Sequence, residues 1–175
     1  SGLRFRKCCR GNEALIGKAW EFFEKRDFES AEKSWRAELT RYIGWVFQHT
    51  LPLLKSQASP SHVLMSVDVG ALEGLAERLA WVLESRGKLE CILHTFDHLG
   101  TTIPLPNLKE RMAYLKCLWL VHCFKNLEEA KRVLTQWDSY EKIRDFRLLQ
   151  IWSEIRADSL SPVQQIMVVN RVIEL

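Results

Sequence analysis

Residues 27–47, DFESAEKSWRAELTRYIGWVF, carry the reading on which the fold class turns. Phe28, Ala31, Trp35, Leu39, Tyr42, Ile43, Val46 and Phe47 recur at three- and four-residue spacing, so they fall on one side of an α-helix. Asp27 stands just before this stripe, where its carboxylate can accept hydrogen bonds from the N–H groups that a first turn leaves unpaired. The spacing predicts a helix from Asp27 to about His49, with Pro52 kinking or stopping it. A helix with such a stripe is stable only when the stripe is covered by a neighbour.

The same grammar repeats outward. Upstream, Asn12 is placed to cap a helix carrying Leu15, Ile16, Ala19, Trp20 and Phe23 and ending near Arg26. Downstream, Ser56 to Ser61 reads as a loop, and Asp68 then caps a helix bearing Leu72, Leu75, Ala76, Leu79, Val82 and Leu83 that Gly87 terminates. Lys88 to Leu99 forms a short helix closed by Gly100. Thr101 to Pro106 contains two prolines and is expected to be extended, with Asn107 starting a helix that carries Met112, Leu115, Leu118, Trp119 and Phe124. Asn126 with Glu129, Asp138 with Glu141, and Ser161 with Gln164 have capping-box spacing, and Pro162 occupies the first helical position after Ser161. The apolar faces that follow are Leu127, Ala130, Val133, Leu134 and Trp137; Tyr140, Ile143, Phe146, Leu149 and Trp152; and Val163, Ile166, Met167 and Ile173. No run of alternating β-branched and aromatic residues suggests a strand. The expected fold is all-α: a basic flexible arm over residues 1–11, then one domain of about eight antiparallel helices over 12–175. An irregular bundle and a short solenoid of hairpins both fit.

Composition narrows the function classes. Of 175 residues, 47% are hydrophobic and 27% charged, which excludes disorder for most of the chain. No stretch approaches the roughly 18 apolar residues of a membrane span, so a membrane partner is not expected. Five cysteines without framework spacing suggest free thiols in a reducing compartment, the cytoplasm or the nucleus. Ser1-Gly2 reads as a remnant of tag removal and the last residues stop within an apolar run, so a longer natural chain is expected. The net charge is +3, but Arg4, Arg6, Lys7 and Arg10 alone contribute four positive charges, so attraction to polyanions is expected only of the arm.

Several constellations are candidates for chemistry. Arg4, Arg6, Lys7 and Arg10 could lie on phosphates with Phe5 stacked on a base, although an ordinary solvated leader has the same composition. Cys91, His94 and His98 share one side of a predicted helix and are zinc-preferring ligands, with Cys117, Cys123 or His122 available to complete a set. Against that, no paired Cys-x-x-Cys accompanies them, and histidines at a helix C-terminus also answer its dipole. Cys8 and Cys9 lie between Lys7 and Arg10, which favours thiolate, but an exposed terminal pair needs no function. No phosphate loop, nucleophile elbow, His-Glu-x-x-His helix or kinase signature occurs, so an enzyme is not expected, and neither is a cofactor.

Two hairpins carry a resemblance. In the first, Ala19, Phe22 and Phe23 precede Arg26-Asp27-Phe28-Glu29-Ser30-Ala31 and then Trp35; in the second, Leu118, Val121 and Phe124 precede Lys125-Asn126-Leu127-Glu128-Glu129-Ala130 and then Leu134. Over about a third of the chain this pattern resembles tetratricopeptide repeats, whose small Ala lets paired helices approach closely. The resemblance implies a protein-binding scaffold. Among the seven tryptophans, Trp20, Trp35, Trp119, Trp137 and Trp152 lie near helical stripes, whereas Trp45 and Trp81 lie beside theirs. The expected function is a non-enzymatic interaction domain that receives a peptide or helix of another protein, or a second copy of itself, in an apolar groove. Trp45, Phe47, Trp81 and Trp119 are its expected contacts. A nucleic-acid-associated domain using the basic arm is the alternative.

Overall fold

The structure, a computed structural model, describes residues 17–55, 69–103 and 105–174, with the backbone alone at 49–55 and 106. Eight α-helices and no strand are present among the described residues. They are α1 (17–24), α2 (Phe28–Lys55), α3 (Val69–Ser85), α4 (Leu89–Thr102), α5 (Pro106–His122), α6 (Leu127–Val133), α7 (Phe146–Arg156) and α8 (Pro162–Glu174). The chain divides into two compact units, Ser1–Ile92 and Leu93–Leu175. The caps expected at Asn12 and Asp68 and the basic arm lie outside the described residues.

In the first unit, α2 and α3 pack antiparallel through the stripes that the sequence marks. Ala31, Trp35, Leu39 and Val46 on α2 and Leu72, Leu75, Ala76, Leu79, Val82 and Leu83 on α3 are all buried. Two turns share one geometry. Arg26 adopts φ 60° and Gly87 φ 67°, and each is followed by a residue whose N–H donates five positions back: Asp27 to the Phe22 carbonyl and Lys88 to the Leu83 carbonyl, both at 2.8 Å. The left-handed residue and the five-back hydrogen bond together close the helix end and reverse the chain. Asp27 then caps α2, its Oδ1 accepting from Ser30 N at 3.1 Å. Contrary to expectation, α2 continues past Pro52 to Lys55. Proline deletes one helical hydrogen bond, but its fixed φ is itself helical, so the chain need not leave the helix.

In the second unit, Leu120, Ala130, Leu134, Trp137, Ile143, Leu148, Leu149, Ile151 and Trp152 form the core around which α5, α6 and α7 pack. Asn126 caps α6 by accepting from Glu129 N at 3.1 Å, as its spacing predicts, while the Glu129 carboxylate pairs with Arg132 instead of closing the box. Ser161 and Gln164 form the complete reciprocal box at the start of α8, at 2.9 and 3.3 Å.

Three expectations are corrected here. Asp138 and Glu141 do not begin a helix: Asp138 pairs with Lys142, a single 3-10 turn spans Tyr140–Lys142, and α7 starts only after Asp145. The delay arises because Asp145 is the better-supported cap. It accepts from Arg147 N and Leu148 N at 3.0 and 3.3 Å, and Glu110, buried on α5, accepts from the N–H groups of Arg144 and Asp145 at 2.8 and 2.6 Å. Gly100 does not close its helix either. It lies within α4, where a Cβ would touch the Met112 Cβ at 3.4 Å, so α4 and α5 are in contact there with room for little more than a methyl group. Pro106, not Asn107, takes the first position of α5, where its missing N–H costs nothing.

Candidate interaction surface

Helix α8 is the element whose environment departs most from its sequence. Its apolar residues occupy two opposite sides. Val168 is buried and Val172 packs against the core of the second unit. On the other side Val163, Ile166, Met167, Val169 and Ile173 are 66, 63, 47, 57 and 78% exposed. The stripe of Val163, Ile166, Met167 and Ile173 expected to pack inward therefore faces solvent, and the correction has a simple cause. Both sides of α8 are apolar, and the i, i+4 pair Val168 and Val172 satisfies the core with one residue per turn. These five side chains present roughly 500 Å² of apolar surface, the size of the largest patch on a typical monomer. Asn170 and Glu174 complete this side of the helix and are also exposed, Glu174 pairing with Arg171 at 3.3 Å, so the face is apolar along most of its length and carries one carboxylate at its C-terminal end. At its edge the Tyr140 hydroxyl lies 3.6 Å from the Met167 sulfur.

The tryptophans expected to make contacts are distributed differently. Trp119 is 5% exposed and so is part of the interior. Trp45 and Phe47 are half-buried, with Trp45 5.9 Å from the Tyr42 ring. Trp81 is 39% exposed and closes an aromatic cluster, its ring 6.3 Å from Trp20, which in turn meets Trp35 edge-on at 5.9 Å. Arg78 lies over Trp20 and Trp35 at 5.9 and 5.5 Å, a cation–π arrangement that occupies the faces of both rings. Because α2 and α3 are antiparallel, Trp81 is level with the start of α2, and Trp45, ten residues beyond Trp35, lies about 15 Å further along it. Trp45 and Trp81 do not form one groove.

The titratable groups with resolved perturbation are bound up in structure. Glu32, 6% exposed, accepts from Arg36 Nε at 2.8 Å, Arg86 Nη1 at 2.5 Å and Lys88 Nζ at 2.9 Å. Burial works against its ionisation, yet hydrogen bonds and charge from Arg36 and Lys88 outweigh it and bring the carboxyl down to about 2. Held by three cations, Glu32 acts as the tie between α2 and the α3–α4 turn. Cys117 is fully buried; desolvation pushes its thiol up to about 12, and its Sγ lies 3.8 Å from the Ala130 carbonyl. Cys91 and Cys123 are exposed.

Cys91, His94 and His98 do not come together as a metal site, and no group of three His, Cys, Asp or Glu able to hold an ion occurs among the described residues. His94 and His98 stack at 6.2 Å, and His98 Nδ1 is 3.1 Å from the Thr102 hydroxyl. Arg4, Arg6, Lys7, Arg10, Cys8 and Cys9 lie outside the described residues. No helix among the described residues is long and apolar enough to cross a membrane. Comparison with protein-family models, with curated proteins and with solved structures found no match.

Proposed function

We propose that this chain is a non-enzymatic interaction domain that binds an apolar helix of a protein partner. The observation that carries the reading is the outer face of α8, where five large aliphatic side chains between 47 and 78% exposed stand together on a helix whose other side packs on the core of the second unit. Such a face is rigid before a partner arrives, so binding orders few side chains, and helix-in-groove association needs anchors at i, i+3, i+4 and i+7 spacing. Val163, Ile166, Met167 and Asn170 have that spacing. Trp81 belongs to a second, smaller apolar exposure on the first unit and is a subsidiary contact. The resemblance to tetratricopeptide hairpins is a second support for a scaffold, and the left-handed residues Arg26 and Lys125 stand at the turns of the two hairpins that carry it.

The test is comparative capture from a cell extract by the wild-type chain and by the double variant Ile166→Glu/Ile173→Lys, followed by rebinding with purified components. A partner whose affinity falls at least tenfold in the variant, and is unchanged by Lys131→Glu on α6, supports the reading. Equal binding by wild type and double variant rules out α8 as the contact surface.

A further inference from the structure

On α2, and in the turn after α3, every cation whose side chain is described holds a carboxylate. Lys33 pairs with Glu29, Arg36 with Glu32, Arg41 with Glu38, and Arg86 and Lys88 with Glu32. Arg78 is the exception. It is the one cation on α3, and the residues three and four positions to either side of it are Leu75, Gly74, Trp81 and Val82. Among the described residues nothing accepts a hydrogen bond from it or pairs with its charge. What surrounds it is aromatic. Its guanidinium carbon lies 5.9 Å from the Trp20 ring centre and 5.5 Å from that of Trp35, and Trp81, 39% exposed, stands 6.3 Å from Trp20. All four residues belong to the first unit. A guanidinium over an aromatic ring uses its flat face for that contact, while its N–H groups lie in its own plane. The fork that grips a carboxylate is therefore left without an acceptor.

We propose that Arg78, framed by Trp20 and Trp81, receives one carboxylate of a protein partner, carried as an isolated Asp or Glu among apolar residues. The inference rests on the first unit alone and goes beyond the reading of α8, so either can fail without the other. Charge sets the kind of anion. Apart from Arg78, the charged residues of α3 are Glu73, Glu77 and Glu84, and the last two stand four before and three after Trp81, on its side of the helix. A nucleic acid or a run of acidic residues brings many negative charges to that side and is repelled. A single carboxylate meets one guanidinium, which can hold both of its oxygens. The rings set what flanks the acid. Exposed Trp81 beside half-buried Trp20 is a surface on which an apolar neighbour of the acid can lie, and the water it excludes strengthens the ion pair.

The probe is 4-phenylbutyrate, a carboxylate on an apolar stem, set against its uncharged analogue 4-phenylbutyramide and against inorganic phosphate. Each is titrated into the full chain at low salt while nuclear magnetic resonance follows the indole N–H signals of Trp20 and Trp81, assigned with Trp20→Phe and Trp81→Phe. The carboxylate should shift both signals saturably and bind about tenfold more tightly than the amide. Arg78→Gln should abolish that preference. Arg78→Lys keeps a cation over the rings and should fold as wild type, yet bind the carboxylate about threefold more weakly because an ammonium lacks the planar fork. Lys131→Glu on α6 should change nothing. Absence of a saturable shift at Trp20 and Trp81, equal binding of carboxylate and amide, tighter binding of phosphate than of the carboxylate, or a preference that survives Arg78→Gln overturns the proposal.

Discussion

Glu32 stays charged although it is buried, because Arg36, Arg86 and Lys88 all donate to it. Its carboxyl is lowered in the fold to about 2 from the ordinary 4.5, so the folded chain holds fewer protons than the unfolded one between those values. The stabilisation is complete above about pH 5 and is lost as pH falls towards 2. Glu32→Gln, which keeps the shape and removes the charge, should cost about 2–3 kcal/mol at pH 7 by chemical denaturation, and the gap from wild type should shrink as pH falls below 5. A gap that is constant with pH would contradict the assignment. Cys117 gives a second test at this scale. In a Cys8→Ser/Cys9→Ser background, Cys91 and Cys123 should react with a thiol reagent in the native state, while Cys117 reacts only on unfolding. Neither residue announced itself in the sequence. Glu32 is one acid among several on an amphipathic helix, and its partners Arg86 and Lys88 lie more than fifty positions away. Cys91, Cys117 and Cys123 all have apolar neighbours, yet only one is inside.

At the level of the element, the sequence was most informative where the signal is local. Asp27, Asn126 and the Ser161–Gln164 pair each cap the helix that their spacing marks, because a cap depends only on the residues of one turn. It was least informative where a distant group decides. The start of α7 moved to Asp145 because Glu110, some 35 positions earlier, ties down the preceding N–H groups. Asp145→Ala should therefore cost about 1–2 kcal/mol of folding stability. Gly100 likewise reads as a helix stop until Met112 is seen beside it. Gly100→Leu should destabilise the fold by about 1–3 kcal/mol through overpacking, measured as a lowered denaturation midpoint; no loss would mean that α4 and α5 are not in close approach there.

For the molecule as a whole, periodicity established the all-α class, since apolar side chains at three- and four-residue spacing recur along the chain between polar stop signals. Periodicity did not show which apolar side of α8 would be covered, and that choice is where the functional proposal arises. Trp119, an aromatic anchor in the sequence, proves to be interior, whereas plain aliphatic residues form the exposed face. The distinction is invisible to composition because Val and Ile serve a core and an interface equally well. The most direct test of the account is the folding stability of Ile166→Glu/Ile173→Lys, measured by urea denaturation at a concentration low enough for the chain to be monomeric. Lysine at 173 suits the helix C-terminus, so the local cost is small. A free energy within about 0.5 kcal/mol of wild type, typical of exposed positions, is the predicted result. A loss of more than about 3 kcal/mol would mean that these side chains are core residues and that α8 has no face to offer a partner.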